Sequence, residues 1–478
     1  MSSRHPTLLT LRSSDHRIII CFGGAAVAHT HPQSSSVRTG AGSMTRRGFL
    51  TAAGGAAIGA GVGLTGCGRS EAQTPKSSGP VDLQVWTNDP NYPAYFTYWA
   101  KQLNQRPDKR FDYRISSLIQ STDQVVTKLL TSYMSGTRLP DMPGFEISQF
   151  SRLQRDDIGG QFAVDLRKEI PHLDRDFYKA RIVPYSSGDA VYGLDSDMCM
   201  GVYYYREDLW KKYGLSTDFE TWDDLLAIGA KAHRDHDVAV AAVSSNDITW
   251  MTMLMLQQGG QCFGADGSLQ VDNPHTVDAL KLLRRGVQSG AFMDLSNFYG
   301  AAGVAAMNAG QVIGYIMPDW FQPFVLQLNA PKLSGRWRIR PFPRFTTGHA
   351  TAVWGGTGFG VTKNQPGTTA ALDLLKQAYC TREGQVQRFL KASYLPTMKN
   401  AWQDARLRKY ESKYLGGQRP FDVYGQIVED TPTMVTSPYW DVMNARMTIA
   451  LSETMRGIQS PERAVRDAAD SIRSQMAR

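Results

Sequence analysis

The chain has 478 residues, of which 52 are basic and 44 acidic, so its formal net charge is +8. Residues 1–66 carry six of the bases and only one acid, which leaves 46 bases against 43 acids, a formal +3, in residues 67–478. The excess positive charge therefore belongs largely to the leader, and nucleic-acid binding has no electrostatic basis. The remaining 412 residues are enough for two domains with cores of their own.

Residues 1–43 show no sustained periodicity and predict no folded unit, so we interpret them as an upstream extension. Arg46-Arg47 then precedes a Gly/Ala-rich apolar run that ends in Leu64-Thr65-Gly66-Cys67. A positive region, a short apolar region and small residues in this order predict an export signal over residues 44–66. A transmembrane helix is the alternative, but so many glycines and alanines make the run weakly hydrophobic for a permanent span.

The paired arginines resemble a twin-arginine signal, and Leu-Thr-Gly-Cys resembles a bacterial lipoprotein box. The two resemblances imply Met44 as the true start and cleavage before Cys67, whose thiol would be lipidated. Residues 67–80 contain Ser, Pro and Gly and are typical of a tether that holds a domain off a membrane.

Strands and helices alternate in the first part of the folded chain. Val81–Trp86 alternates as a first strand and leads into the polar loop Thr87-Asn88-Asp89. Ser121, with Gln124 three residues on, predicts the start of a helix that Gly136 ends. This alternation predicts a parallel sheet.

A central stretch contains two apolar runs of strand type, Val191–Leu194 and Gly201–Tyr205, with the polar segment Asp195-Ser196-Asp197 between them. Arg206–Tyr213 predicts a short helix closed by Gly214, because its acids come early and its lysines late. A second helix is expected after Thr221, with Asp224 completing a capping box. Farther on, Asn273-Pro274 predicts the start of a helix with one apolar face.

The central stretch resembles extracellular solute-binding proteins of the maltose-binding type. The matching residues are Tyr192-Gly193, Asp197, Tyr205-Arg206-Glu207-Asp208-Leu209, Gly214-Leu215 and Thr221-Trp222-Asp223-Asp224-Leu225. The sequence departs from the family at Asp195, where proline is usual. The resemblance extends over essentially the whole exported chain through the segments Lys128–Asp141, Gly310–Trp320, Trp354–Gly356 and Ser437–Arg473.

The resemblance implies an α/β protein with the type II periplasmic-binding-protein-like fold, in which a hinge joins two discontinuous lobes. We expect lobe 1 to comprise residues 81–196 and 357–398, and lobe 2 to comprise residues 197–356 and 399–478. It also implies capture of a carbohydrate between the lobes and its delivery to the permease subunits of an ABC importer with a cytoplasmic ATPase. The protein is then expected to be a monomer, lipid-anchored at the outer face of the plasma membrane.

The resemblance also implies which residues lie in the cleft. A sugar site combines flat aromatic rings with carboxylates, amides and backbone donors. Trp320 and Trp440 match positions that stack on sugar, Asp197 matches an acid of the hinge loop, and Trp354-Gly355-Gly356 borders the other hinge. Weaker candidates are Trp86, Glu146, Trp250 and Tyr394. Core packing is the alternative for each tryptophan, a loop or cap role for Asp197, and a strand end for Glu146.

Other functions remain open at this stage. A secreted carbohydrate-active enzyme would need two suitably spaced carboxylates, which a sequence cannot measure, but the chain has no Gly-x-Ser-x-Gly, HExxH or phosphate-loop motif. A structural surface lipoprotein and a binding protein for a glycerophosphodiester are further alternatives, and the latter would need a basic residue in the cleft.

The cysteines and histidines predict neither a disulfide framework nor a metal site. Cys199, Cys262 and Cys380 are sparse and odd in number, so buried free thiols are expected, with one bridge such as Cys199 to Cys262 as the alternative. No spaced Cys/His pattern of the zinc type occurs, and we expect neither a metal nor a cofactor.

Overall fold

The computed structural model describes residues 73–477. The predicted signal with its arginine pair, the lipoprotein box and Cys67 lie outside the described residues. The predicted tether ends within residues 67–80, because the Gln73 and Lys76 amides already donate to the carbonyls of Asn364 and Pro366. No helix between residues 73 and 477 is both long enough and apolar enough to cross a bilayer.

The strands are short except for the first two. In chain order they are β1 Gly79–Thr87, β2 Phe111–Ile119, β3 Met142–Glu146, β4 Ser186–Ser187, β5 Ala190–Val191, β6 Leu194–Asp195, β7 Gly201–Arg206, β8 Ala241–Val243, β9 Phe292–Asp294, β10 Gly314–Pro318, β11 Trp337–Arg340 and β12 Thr357–Phe359.

The α-helices cover the sheets. They are α1 Asn91–Asn104, α2 Thr122–Met134, α3 Ile147–Gln154, α4 Ile158–Phe162, α5 Leu166–Glu169, α6 Leu173–Asp176, α7 Glu207–Lys212, α8 Trp222–His236, α9 Thr249–Gln257, α10 Pro274–Gln288, α11 Ala301–Ala309, α12 Gln327–Asn329, α13 Thr368–Tyr379, α14 Arg382–Ala392, α15 Ala405–Arg408, α16 Pro420–Ile427, α17 Trp440–Met455 and α18 Pro461–Met476. A π-helical turn at Gln322–Leu326 and six short 3₁₀ turns join them in the described part of the chain.

The first sheet has five strands in the order β2-β1-β3-β12-β6. The predicted parallel arrangement is confirmed for β1, β2 and β3, whereas β12 runs antiparallel to both of its neighbours. The carboxyl ends of β1, β3 and β6 therefore lie at the same edge as the beginning of β12. Loops that leave this edge meet in one place.

The second sheet places β7 between β10 and β11, with both pairs antiparallel. The two predicted strand-type runs of the central stretch thus belong to different sheets, since β6 pairs with β12 and β7 with the second sheet. Pairing in the first run is limited to Ala190–Val191 and Leu194–Asp195. The polar segment Asp195-Ser196-Asp197 between these runs therefore carries the chain from the first sheet to the second.

The predicted helix starts are confirmed by their hydrogen bonds. The Thr221 hydroxyl accepts from the Asp224 amide while the Asp224 carboxylate accepts from the Thr221 amide, which caps α8. Ser121 and Gln124 form a capping box at α2, and the Asn273 side chain accepts from the Thr276 amide at α10. Each bond satisfies a backbone donor that the helix itself leaves free.

The chain passes between the sheets near three places that lie close together. The first follows β6, the second precedes β12 through a bridge between Met200 and Val353, and the third follows α14 near Leu395. The predicted lobe bounds remain predictions. The three cysteines in the described residues are free thiols, two of them buried.

A buried ion pair ties these passages to each other. Arg181 and Asp195 are fully buried, and the guanidinium donates both to the Asp195 carboxylate and to the Gly355 carbonyl, the latter at 2.8 Å. The Thr397 hydroxyl donates to the Asp195 carbonyl at 3.2 Å. Gly356 has φ +121°, and a side chain there would collide with the guanidinium, so this position requires glycine.

We expect Asp195→Asn to lower the free energy of unfolding by about 3 kcal/mol or more, because the Arg181 charge would lose its partner while staying buried. Urea unfolding of the purified protein measures the change. Asp82→Asn is the control, since Asp82 pairs with Arg114 at the surface, where both side chains are well exposed. Similar urea midpoints for both variants would contradict a special role for the buried pair.

Candidate functional site

A cavity of about 250 Å³ lies where the loops from the two sheets meet. Asn88 and Asp89 follow β1, Glu146 ends β3 and Thr357 begins β12, so the first sheet presents one edge to it. Trp320, just after β10 of the second sheet, and Phe324, in the π-helical turn Gln322–Leu326, approach from the other side. The complete lining is Asn88, Asp89, Tyr92, Glu146, Asp197, Cys199, Trp320, Phe324, Trp354, Gly355, Gly356, Thr357 and Tyr394.

Aromatic rings form much of the cavity wall. Tyr92 and Tyr394 stack with their ring centroids 4.7 Å apart, and Phe324 packs on Tyr394 at 5.3 Å. The Trp320 indole N–H donates to the Trp354 carbonyl at 3.0 Å, which fixes the orientation of that ring. Trp320 and Trp354 are only half-buried, so part of each ring remains available to a ligand.

Three carboxyl groups reach the same cavity. Asp89 accepts from the Asn91 amide and from the Tyr394 hydroxyl, both at 2.8 Å. Glu146 accepts from the Ser148 amide at 2.9 Å and caps α3. Burial raises the pKa of the Asp89 carboxyl and of the Glu146 carboxyl above their ordinary values.

The third carboxyl, Asp197, touches that of Asp319. Asp197 is buried and accepts from the Leu395 amide at 2.7 Å. Burial raises the pKa of Asp197 to about 6, and burial together with the charge of Asp197 holds the pKa of Asp319 well above its usual range. Two ionised carboxylates would repel each other here, so the pair favours a state in which Asp319 is protonated beside an ionised Asp197.

Seven of the ten predicted cleft residues line this cavity: Glu146, Asp197, Trp320, Trp354, Gly355, Gly356 and Tyr394. Trp86, Trp250 and Trp440 are not in the lining. Trp250 is wholly buried against Phe298, and Trp440 is buried behind Trp354 with a centroid separation of 6.4 Å. Lys128 lies 5.2 Å from the ring of Trp86. Ligand contact by these three tryptophans stays a prediction.

Six residues of the lining were not predicted from the sequence: Asn88, Asp89, Tyr92, Cys199, Phe324 and Thr357. For Asn88 and Asp89 a signal was present, because a polar loop directly after the first strand of a parallel sheet lies at the ligand-binding edge of α/β folds. Tyr92 follows on the first turn of α1. Cys199 is buried, and burial raises the pKa of its thiol far above the ordinary value, which keeps the group unreactive.

A larger cavity of about 660 Å³ lies beside Tyr178, Trp402 and Phe421. None of the predicted cleft residues is in its lining, and its rim carries exposed side chains of both charges, such as Lys399 and Asp422. The smaller cavity is the candidate site because loops from both sheets and two of the passages between them converge on it.

The protein consists of two α/β lobes that several passages of the chain connect, and its cavity lies at their junction. These features are those of a two-lobed binding protein. Solved structures share this fold. The galacto-N-biose/lacto-N-biose I-binding protein of the Bifidobacterium longum ABC transporter is similar with a TM-score of 0.69 at 16% sequence identity, over 84% of this chain and 98% of that one. The type II binding-protein fold expected from the sequence is confirmed.

Residues 98–412 match the family described as bacterial extracellular solute-binding protein, and the chain belongs to this family. It is 25% identical to an arabinooligosaccharide-binding protein of Bacillus subtilis (strain 168) over 381 residues, which are 77% of this chain and 85% of the relative. A second arabinooligosaccharide-binding protein, from Halalkalibacterium halodurans, is 23% identical over 413 residues, with 83% and 90% coverage. Membership of an extracellular family indicates an extracytoplasmic location.

We expect Asp319→Asn to stabilise the protein more at pH 7.5 than at pH 4.5. Both carboxyls have raised pKa values, so their contribution to stability is complete below about pH 4 and is lost as the pH rises through the folded-state values. An asparagine amide can donate to Asp197 at every pH. The gain of the variant over the wild type should therefore grow by on the order of 2 kcal/mol between these pH values.

Urea unfolding of both proteins at several pH values measures this difference. Parallel stability curves would contradict a proton shared between the two carboxyls.

Proposed function

We propose that the protein is a lipid-anchored solute-binding protein that captures a mono- or oligosaccharide between its lobes and delivers it to the permease subunits of an ABC importer. The observation that carries this proposal is the cavity at the lobe junction, in which aromatic rings and carboxyls from both sheets face each other. Apolar sugar faces pack on aromatic rings, and sugar hydroxyls donate to carboxylates. The ligands named for the Bacillus and Halalkalibacterium relatives support a carbohydrate.

The arrangement explains how a ligand would favour the closed state. Asn88, Asp89 and Tyr92 would bind one side of the sugar and Trp320 and Phe324 the other, so the contacts are complete only when the lobes are together. A ligand shifts such an equilibrium by the difference between its affinities for the two states. The closed form would then be recognised by the permease, and the binding protein itself would act as a monomer.

An enzymatic role is the alternative. Asp197 is buried and hydrogen-bonded to Leu395 and Asp319, so it is poorly placed to exchange protons with a substrate. We therefore propose binding without chemical change, and without a metal or cofactor. A glycerophosphodiester ligand is disfavoured because no Lys, Arg or His is in the described lining.

A thermal-shift screen of the purified protein against monosaccharides, oligosaccharides, polyols and glycerophosphodiesters tests the proposal. A ligand at 100 times its dissociation constant adds about 2.7 kcal/mol to the stability of the native state, which raises the melting temperature by several degrees. A selective rise with the sugar recovered intact supports binding without chemistry. Flat curves for all sugars, or a sugar recovered with altered mass, would contradict it.

We expect Trp320→Ala to weaken binding of the sugar found in the screen by at least about 1 kcal/mol, because the half-buried ring would no longer pack on it. Isothermal titration measures the affinity. Trp250→Phe is the matched control, since Trp250 is fully buried outside the lining. Unchanged affinity in the Trp320 variant, or an equal loss in both variants, would contradict stacking at Trp320.

The proposed anchor is tested separately from the cleft. Cys67→Ser removes the thiol that lipidation requires, so the variant is expected in the soluble fraction of cells while its sugar affinity is unchanged. Fractionation followed by titration of the released protein measures both. A variant that stays with the membrane would contradict lipidation at Cys67.

A further inference from the structure

We propose that the cavity selects a sugar that carries a protonated amine over the same sugar with a hydroxyl in that place. This inference rests on the proposed carbohydrate-binding function and names its ligand class. The first observation is the charge of the lining: Asp89, Glu146 and Asp197 contribute carboxyls, and no basic side chain in the described residues lines the cavity. A ligand with a positive charge would therefore meet carboxyls in the lining, and the Arg181 cation behind Gly355 is already paired with Asp195.

The carboxyls at the cavity lack cations of their own. In the part of the chain that the structure describes, neither Asp89 nor Glu146 lies within ion-pair distance of a Lys, Arg or His. Their hydrogen bonds come from neutral donors: the Asn91 amide and the Tyr394 hydroxyl for Asp89, and Ser148 for Glu146. Their raised pKa values agree with half-buried carboxylates that no adjacent cation offsets. A bound ammonium group would supply the missing charge.

Several hydrogen-bond donors in the cavity lining already donate to acceptors within the protein. The Tyr394 hydroxyl donates to Asp89, the Trp320 indole N–H to the Trp354 backbone carbonyl and the Thr357 hydroxyl to Oδ1 of the Asn88 side chain. Each carboxylate keeps lone pairs beyond those in use, because it offers about four acceptor positions. The lining is thus richer in acceptors than in donors. An ammonium group has three donors and no acceptor, whereas a hydroxyl also needs a donor for its own oxygen.

The aromatic wall favours the same ligand. Tyr92 stacks on Tyr394, which Phe324 also contacts, and Trp320 and Trp354 present half-buried rings to the same cavity. The face of an aromatic ring attracts a cation, most strongly where water is excluded. Carboxylates and ring faces in one cavity therefore both favour a positively charged group, while an anionic sugar such as a uronic acid would be repelled.

The test compares matched sugars at pH 7 by isothermal titration of the purified protein. The pairs are D-glucosamine with D-glucose, D-galactosamine with D-galactose, and the β-1,4-linked glucosamine disaccharide with cellobiose. Each amine also has its N-acetyl form, which keeps the nitrogen but carries no charge and adds an acetyl group. In the pairs that bind, we expect the amine to bind about tenfold more tightly than both the hydroxyl and the N-acetyl sugar.

Glu146→Gln tests the carboxylate, because glutamine keeps an acceptor for the Ser148 amide and removes only the charge. We expect the preference for the amine to fall several-fold in this variant and to stay unchanged in Glu411→Gln, which removes an exposed carboxylate outside the lining. Asp89→Asn serves as a second variant should the first lower the melting temperature. Loss of the preference only in the cavity variants supports the inference.

Two outcomes of the titrations would contradict the inference, and they lead to different conclusions about the proposed function. Hydroxyl or N-acetyl sugars that bind as tightly as the amines would overturn the inference and leave the carbohydrate-binding proposal standing. A complete absence of sugar binding by a folded sample would overturn both.

Discussion

The buried ion pair of Arg181 and Asp195 is the interaction on which the geometry of the site depends. The Arg181 guanidinium has no access to water, and the adjoining Asp195 carboxylate supplies the opposite charge that stabilises it inside the protein. The same guanidinium donates to the Gly355 carbonyl, and Asp195 accepts from Thr397 through its backbone. One cation thereby fixes three segments that lie near the passages between the sheets.

The pair also gives a physical account of the position where the sequence departs from the family. A proline at position 195 would set the backbone torsion but offer no charge to Arg181. Asp195 supplies that charge and also accepts from the Asp197 amide at 3.2 Å, which shapes the start of the passage. The stiffness that proline gives through its ring is here provided by an ion pair. Arg181 and Asp195 therefore form a unit in which neither residue is tolerated alone.

Most of the negative charge of the site has no cation beside it, because Arg181 is paired with Asp195. Asp197 and Asp319 share a proton instead of a counter-ion, and Asp89 and Glu146 rely on neutral donors. The cleft thus holds several carboxyls that burial partly desolvates at the junction of the lobes, a cost that bound hydrogen-bond donors would reduce.

The sequence was sufficient for much of the fold because the signals were local. Capping residues such as Thr221 and Asn273 act on their own helices, and alternation in Val81–Trp86 is a property of one strand. That the runs on either side of Asp195 belong to two sheets depends on pairing with β12 and β10, which are more than 100 residues away. Such long-range pairing leaves no local pattern.

The tryptophans show that local sequence patterns are equally insufficient to predict the residues of the site. Trp250, Trp320 and Trp440 are alike as side chains, and their type does not distinguish a ring that stacks on a ligand from one that fills a core. What separates them is exposure, which the packing of distant elements decides: Phe298 covers Trp250, whereas the passage at Trp354 leaves Trp320 half-open. The position of a residue after a strand end is therefore a better guide to the cleft than its aromatic character, as Asn88 and Asp89 show at the end of β1.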